Sequence, residues 1–449
     1  MNGLLRLLVL PACIAILMIM AQAEAETAPS SYPERLEGHG GPVRSVTISA
    51  DGTRALTASF DYSAIVWALE DDEAKVLYRL TGHDAAVNDA AFVPGRPLIV
   101  TVSDDGSMIV WSSETGELLK RFSGPGDKWL SLAVSGDGRL AASAGWDRTA
   151  RIFDLETLSE GPVISSHDGN VNSVAFSNDG GTLYTASYDG KIRAFDVADG
   201  TSKGLVYDHG WGINVVRALP DPGFLFFGAL DGTAAIVDVA AQEIVFELGH
   251  HKGPILAAAV DDTDGLLAVG SADGHMRVYA IGDFHMLHDL TNLIGPVWGL
   301  SFLPGGSGLY RAGLDDYAAL WMIAPRQPFE PLVGDYPRRF QITRTDDPGE
   351  RQFARKCSVC HTLTPDGAHR AGPTLHGVFG RPAGAVPGYV YSDAVRDSGV
   401  VWSEETIGLL FELGPDHYLP GTKMPVQKIA SDKDRADLIR FLKRETGAE

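Results

Sequence analysis

An aspartate recurs along the chain with a nearly constant period, and this repeat limits the possible folds more than any other feature. The first interval is 44 residues and the next five are 42 residues, which gives Asp61, Asp105, Asp147, Asp189, Asp231, Asp273 and Asp315. Twenty-two residues before each aspartate lie His39, His83, Pro125, His167, His209, His251 and Leu293. Six residues after each aspartate lie Trp67, Trp111, Phe153, Phe195, Val237, Tyr279 and Trp321. Seven units in one register predict a repeat architecture.

The amino-acid sequence within each period is typical of strands and turns. The first unit reads VRSVTISADGTRALTASFDYSAIVWAL, in which β-branched residues alternate with others and turn residues interrupt them. Four short strands per period form a sheet that can bury its faces only against neighbouring units. We therefore predict an all-β, seven-bladed propeller over residues 31–325.

The local motifs resemble those of the WD-repeat family. GH occurs in LEGHGGPV, LTGHDAAV and LGHHKGPI, and VW ends AIVW and MIVW. The resemblance implies a hydrogen-bonded set of histidine, serine or threonine, aspartate and tryptophan in each blade, which corresponds here to His39, Ser59, Asp61 and Trp67, and to His83, Ser103, Asp105 and Trp111. It also implies that an amino-terminal strand, for which residues 32–36 are the candidates, completes the last blade and removes its exposed edge.

Two units depart from this pattern. The third and seventh have Pro125 and Leu293 at the histidine position and Gly145 and Gly313 at the serine position. We expect these two blades to be less rigid than the others. The repeated side chains of the propeller are expected to pack blades together and not to catalyse a reaction, because they recur at equivalent positions.

The chain begins with a segment typical of a secretory signal peptide. Arg6 precedes a long apolar run, and the small residues of AQAEA offer cleavage sites. We predict a signal peptide over residues 1–25 and export to a bacterial periplasm. Two alternatives are a membrane anchor, since residues 7–21 are apolar, and lipidation at Cys13. Membrane association is expected only if the segment is uncleaved or lipidated.

The remaining cysteines form a C-x-x-C-H motif with Cys357, Cys360 and His361. This is the attachment signature for haem c, because two thiols at this spacing can each add to one vinyl group and the adjacent imidazole then faces the iron. A zinc site would usually need two more cysteine or histidine ligands, and a thioredoxin-like dithiol would lie in a βαβ pattern. The sequence shows neither feature, so we predict one covalently bound haem c.

Residues 348–449 resemble mitochondrial and bacterial cytochromes c. The motifs are CSVCH, GPTLHGVFGRPAG, GYVYSDA, PGTKM and KDRADLIRFLK. The resemblance implies an all-α domain in which His361 and Met424 ligate the iron. It further implies that the Pro373 carbonyl orients the imidazole. Residues 326–347, which are rich in proline and charge, predict a linker between this domain and the propeller.

The same resemblance assigns the rest of the haem surroundings. Arg381, Tyr391 and Trp402 match residues that hydrogen-bond the haem propionates, and Leu375 matches part of the apolar wall. Phe411 stands where the family usually has a tyrosine near the methionine sulfur, and Val395 stands where an asparagine often orders a buried water. Both departures remove polar groups near the haem, so we expect an altered reduction potential.

Charge separates the two halves of the chain and limits its partners. The net charge is −21, and residues 326–449 carry 17 basic and 17 acidic residues, so the excess acid belongs to the propeller half. No nucleic-acid partner is expected for so acidic a chain. Lys356, Lys423 and Lys428 lie beside the haem motifs, either as a docking rim for acidic redox partners or as ordinary solvated surface.

These observations predict an exported electron-transfer protein and not an enzyme. The haem would carry one electron, and the propeller would be a docking scaffold for redox protein partners or a protein complex in the periplasm. One alternative is a periplasmic oxidoreductase with a catalytic site in the propeller and the cytochrome as its electron relay. Another is a redox sensor in which the haem state alters what the propeller binds.

Overall fold

The structure, a computed structural model, describes residues 31–124, 127–291, 295–324, 346–358, 360–365, 372–389, 391–420, 422, 424 and 427–447. Within these residues, seven four-stranded sheets precede a helical domain. The predicted signal peptide at 1–25 and most of the predicted linker at 326–347 lie outside the described residues. Pro125, Leu293 and Lys423 also lie outside them.

The strands follow one another in antiparallel sheets. They are β1 (Arg35–Glu37), β2 (Val43–Ile48), β3 (Arg54–Ser59), β4 (Ser63–Glu70), β5 (Glu73–Thr81), β6 (Val87–Phe92), β7 (Leu98–Ser103), β8 (Ser107–Ser112), β9 (Leu118–Ser123), β10 (Trp129–Val134), β11 (Leu140–Gly145), β12 (Ala150–Asp154), β13 (Ser159–Ile164) and β14 (Val171–Phe176). They continue with β15 (Thr182–Ser187), β16 (Lys191–Asp196), β17 (Ser202–Asp208), β18 (Ile213–Ala218), β19 (Phe224–Ala229), β20 (Thr233–Asp238), β21 (Glu243–His250), β22 (Ile255–Asp261), β23 (Leu266–Ser271), β24 (His275–Ala280), β25 (Met286–Thr291), β26 (Val297–Phe302), β27 (Gly308–Gly313) and β28 (Tyr317–Met322). Six sheets are simple meanders of consecutive strands, beginning with β2-β3-β4-β5.

The seventh sheet joins the two ends of the propeller. Its strand order is β1-β28-β27-β26, and β1 pairs antiparallel with β28, with Arg35 opposite Ala319. Leu36 is fully buried in a cluster that includes Trp67 and Leu303. The prediction that an amino-terminal strand closes the ring is therefore confirmed, and the paired residues lie at the carboxyl end of the predicted segment.

The repeated aspartate is the centre of a hydrogen-bonded set in the first blade. His39 Nδ1 lies 3.0 Å from an Asp61 carboxylate oxygen, and His39 Nε2 lies 2.7 Å from Thr57 Oγ1. Trp67 Nε1 donates to the same threonine oxygen at 2.9 Å. The resemblance placed Ser59 in this set, and the Asp61 N–H does donate to its hydroxyl at 3.1 Å, but the residue that joins His39 to Trp67 is Thr57. The Ser59 hydroxyl, at the last residue of β3, donates to backbone carbonyls of the loop before β2.

The second blade has the same arrangement, and the third replaces it. His83 and Trp111 are joined by Thr101 and not by the predicted Ser103. In the third blade, Asp147 instead accepts a hydrogen bond from Arg151 at 2.8 Å. An arginine on the neighbouring strand thus neutralises the carboxylate where the sequence lacks the histidine.

The helical domain contains α1 (Pro348–Lys356), α2 (Asp393–Arg396), α3 (Glu404–Leu413), α4 (Pro415–Tyr418) and α5 (Asp432–Glu445). The first and last helices cross closely, and the rings of Phe353 and Phe441 lie 5.5 Å apart. A Cβ at Gly349 would collide with the Asp437 carbonyl, so only glycine permits this approach. Among the described residues, no helix has the length and apolarity to cross a membrane.

Replacing Leu36 tests the contribution of the closing strand. Leu36→Ala should lower the free energy of unfolding of the propeller by about 2–5 kcal/mol, because a fully buried leucine leaves a cavity. Glu37→Ala, at an exposed position of the same strand, is the control and should change stability by less than about 0.5 kcal/mol. Denaturant titration followed by tryptophan fluorescence measures both, and equal losses would contradict the assignment.

The aspartate set should also make propeller stability depend on pH. Burial opposes ionisation of Asp105, but hydrogen bonds from His83, Ser107 and the Asp84 backbone outweigh it and hold the Asp105 pKa at about 2. Because the folded pKa lies below the ordinary 3.8, the ionised form stabilises the fold above pH 4 by about 2 kcal/mol, and this stabilisation is lost between about pH 4 and pH 2.

Asp105→Asn should therefore be destabilised at pH 7, with a difference from the parent protein that shrinks as the pH falls below about 4. Glu117→Gln, at an exposed position in the same blade, should follow the parent protein at every pH. Denaturation midpoints measured from pH 7 to pH 2 give the comparison. A difference for Asp105→Asn that is constant with pH would show that the carboxylate charge is not the cause.

Candidate functional site

The two cysteines lie in the turn that ends α1. Asp347 caps the amino terminus of this helix by accepting from the Gly349 N–H at 2.7 Å. At the other end, the N–H groups of Cys360 and His361 both donate to the Cys357 carbonyl, at 3.0 and 2.8 Å. This tight turn directs Cys357, Cys360 and His361 to the wall of one cavity.

One hydrogen bond orients the imidazole of His361. Its Nδ1 lies 2.7 Å from the Pro373 carbonyl oxygen. Because a carbonyl can only accept, Nδ1 carries the hydrogen and Nε2 of the neutral ring keeps its lone pair, as a metal ligand requires. The loop that presents Pro373 is tied back by the Gly372 N–H, which donates to the Cys360 carbonyl at 2.7 Å.

The cavity brings together every site residue that the sequence predicts. Its lining includes Cys357, Cys360, His361, Pro373, Leu375, Arg381, Tyr391, Trp402 and Met424. Burial raises the pKa of the Cys357 thiol to about 12. A reactive dithiol needs a lowered thiol pKa, so this environment does not favour the thioredoxin-like alternative.

One part of the lining carries polar groups. Both terminal nitrogens of Arg381 donate at 2.7 Å to the carbonyls of Thr374 and His376, which fixes the guanidinium at the cavity. Burial raises the pKa of Tyr391, so its hydroxyl stays protonated and can donate. Ser392 Oγ and Gln427 Oε1 also line the cavity, and within the described residues neither buried atom has a hydrogen-bond partner.

The face of α3 toward the cavity is apolar. Ile407, Leu410 and Phe411 all line it, and Val395 adds a further aliphatic side chain. The two departures noted in the sequence, Phe411 and Val395, thus both line the cavity, and neither contributes a hydroxyl or an amide. Met424 lies on the same cavity, and its N–H donates to Thr422 Oγ1 at 3.2 Å.

Sequence reasoning missed Ser392, Gln427 and Tyr62. Ser392 follows Tyr391 directly in the GYVYSDA motif, and this adjacency is the one feature of the sequence that points to a place for Ser392 in the cavity. Tyr62 belongs to the propeller, in the turn between β3 and β4, yet lines the same cavity. A signal for Tyr62 does exist in the repeat, since the residue after the repeated aspartate is glycine in four other units.

Family models match both parts of the chain. The model for "WD domain, G-beta repeat" matches residues 31–68, 74–112, 116–154, 160–196 and 242–280. These segments include the third unit in spite of Gly145, and they leave out the fifth and seventh. The cytochrome c model matches residues 347–445.

Curated relatives resemble the helical domain over most of their own length. Cytochrome c of Sesamum indicum is 44% identical over 98 residues, which is 22% of this chain and 87% of the relative. Cytochrome c type-1 of Ascaris suum is 46% identical over 99 residues, 22% of this chain and 85% of the relative. The chain belongs to the cytochrome c family. Its family domain follows a WD-repeat propeller and carries a covalently bound haem c.

The residues of the cytochrome c domain fit this cofactor. The cavity offers two thiols, an imidazole oriented through its Nδ1, a thioether and a mostly apolar wall. The buried Ser392 Oγ and Gln427 Oε1 have no partner within the described residues, so both can form hydrogen bonds with polar groups of a bound cofactor. A macrocycle with an apolar body and acidic side chains matches such a lining.

Adding a methyl group at Gly372 tests the placement of the imidazole. A Cβ there would collide with the His361 ring, so Gly372→Ala should turn the ring away from the Pro373 carbonyl and reduce haem incorporation severalfold. Gly408→Ala is the control, because its Cβ would make only an ordinary contact 3.7 Å from Ile439. It should retain haem and stabilise α3 by roughly 0.5–1 kcal/mol. Haem per chain by the pyridine haemochrome method gives the result, and equal haem content in both variants would contradict this account.

Proposed function

We propose that the chain is an exported electron-transfer protein in which Cys357 and Cys360 attach the haem and His361 and Met424 ligate its iron. The observation that carries the proposal is that an oriented imidazole and a thioether line one cavity. If His361 and Met424 both ligated the iron, no position would be left open for a substrate, which favours electron transfer. The bound haem supplies a one-electron couple.

The other cavity residues support this role by controlling polarity. The apolar side chains of Leu375, Leu410 and Phe411 exclude water from the iron and stabilise its less charged state. Arg381, Tyr391 and Trp402, together with Ser392, supply donors for the propionates. Phe411 and Val395 lack the hydroxyl and the amide that the family usually has at these positions. The methionine sulfur therefore has no polar neighbour from either residue, which shifts the reduction potential of the haem and the strength of methionine ligation.

The propeller and the first 25 residues supply the context for this transfer. A WD-repeat propeller presents a rigid ring of loops suited to protein interaction, and we assign it the docking of redox partners. Residues 1–25 direct export to a bacterial periplasm, where covalent attachment prevents haem loss. The curated relatives are eukaryotic cytochromes c, so support for export comes from the sequence of this segment. Cell fractionation of the full chain and of a chain lacking residues 1–25 tests it: both forms in the cytoplasm would contradict export.

A second function, an oxidoreductase with its site in the propeller, is favoured by one observation. The inner strands surround a cavity of about 870 Å³ lined by Arg44, Asp89 and Arg217 among others. Haem stoichiometry, metal content and optical spectra of the purified protein, with carbon monoxide added to the reduced form, separate the two functions. One low-spin haem that does not bind carbon monoxide supports the electron carrier. A second chromophore, or a metal in the propeller, supports the enzyme.

Met424→Ala should retain covalent haem but lose the sixth ligand. The expected result is loss of the methionine-to-ferric-iron absorption band, rapid carbon monoxide binding by the reduced protein and a lower reduction potential, because the thioether stabilises ferrous iron. Met286→Ala, at a half-exposed position of the propeller, is the control and should keep the parent spectrum. An unchanged spectrum in Met424→Ala would show that another residue ligates the iron.

A further inference from the structure

The residue after the repeated aspartate adopts a left-handed backbone conformation in most blades. Glycine occupies it in four, with φ of 70° at Gly106, 84° at Gly190, 94° at Gly232 and 84° at Gly274. Tyr62 and Arg148 adopt the same conformation, with φ of 69° and 66°. This region disfavours residues with a Cβ, so each of the two is strained. Because Tyr62 adopts a strained conformation where four other units have glycine, we looked for a contact of its side chain that offsets the strain.

The structure shows what the Tyr62 side chain touches. Among the described residues, it is the one propeller residue in the lining of the haem cavity. Cys360 and Tyr389 line the same cavity and lie near its hydroxyl, and burial raises the Tyr62 pKa. The ring of Tyr389 packs on Tyr391, with ring centroids 4.6 Å apart. Tyr62 therefore lines the cavity together with two tyrosines of the cytochrome c domain.

We propose that the turn carrying Tyr62 is an intramolecular docking contact, in which the tyrosine ring covers the Cys360 side of the haem cavity. The first partner of the propeller is then the cytochrome c domain of its own chain. With the ring in place, this side of the haem is shielded from water and from external redox partners. The inference rests on haem binding by the cytochrome c domain and not on the identity of any electron donor or acceptor.

The contact does not depend on an ion pair between the domains among the described residues. The Asp104 carboxylate acts on Tyr62 from the neighbouring blade, but it is paired within the propeller with Lys128, at 2.7 Å. The contact involves one turn of the propeller, so separation of the domains requires no unfolding of either core.

The test compares Tyr62→Gly with Arg148→Gly in the full-length, haem-loaded protein. Both variants relieve a left-handed strained residue at equivalent positions of two blades, but Arg148 is not in the cavity lining. Tyr62→Phe keeps the ring and is the second control. The measurements are hydrogen exchange of the segment 372–389 and the rate of haem reduction by ascorbate.

Tyr62→Gly should raise both rates by roughly threefold or more, as a covered surface becomes open to solvent. Arg148→Gly and Tyr62→Phe should match the parent protein. Equal exchange and equal reduction rates in Tyr62→Gly and Arg148→Gly would overturn the proposal. Failure of the proposed function would be seen separately, as a parent protein without the spectrum of a six-coordinate haem.

Discussion

The arrangement of the haem cavity depends on the hydrogen bond between His361 Nδ1 and the Pro373 carbonyl. At 2.7 Å it fixes Nδ1 as the protonated nitrogen of the ring, and therefore Nε2 as the one that would bind iron in the proposed function. Other features serve the same geometry. The turn after α1 sets the backbone of His361, and the absence of a side chain at Gly372 leaves space for the ring. The orientation of the imidazole is therefore determined by backbone turns and one carbonyl group more than by neighbouring side chains.

The blades of the propeller depend on another polar group, the carboxylate of the repeated aspartate. In the first and third blades the repeated aspartate lies in a turn between two strands, and its carboxylate is paired with His39 in the first and with Arg151 in the third. The fold tolerates this exchange because the requirement is a cation or donor near the carboxylate and not a particular side chain. This explains how the third unit can lack the histidine of the family pattern while its sheet keeps four strands.

Both architectures could be predicted from the sequence because their signals are periodic or contiguous. The 42-residue register predicts the blades, and short motifs from Cys357 to Met424 predict the haem cavity residues. The errors have physical causes. Ser59 and Thr57 lie on the same face of β3, and the sequence does not show which of them reaches Trp67. The repeat marks Tyr62 as unusual, since four other units have glycine there, but it does not show that this residue lines a cavity of another domain.

Separate cores explain why a contact such as that of Tyr62 can matter to function and little to stability. Within the described residues, the propeller clusters and the cytochrome c clusters share no residue: Phe353, Leu410 and Phe441 belong to one, and Leu36 and Trp67 to another. Each domain therefore buries its apolar surface by itself, and a contact between them adds little to either fold. A contact of low cost that covers a redox centre is suited to being made and broken. The backbone strain at Tyr62 therefore lowers the stability of the propeller, whereas the surface that its ring covers is that of the haem cavity.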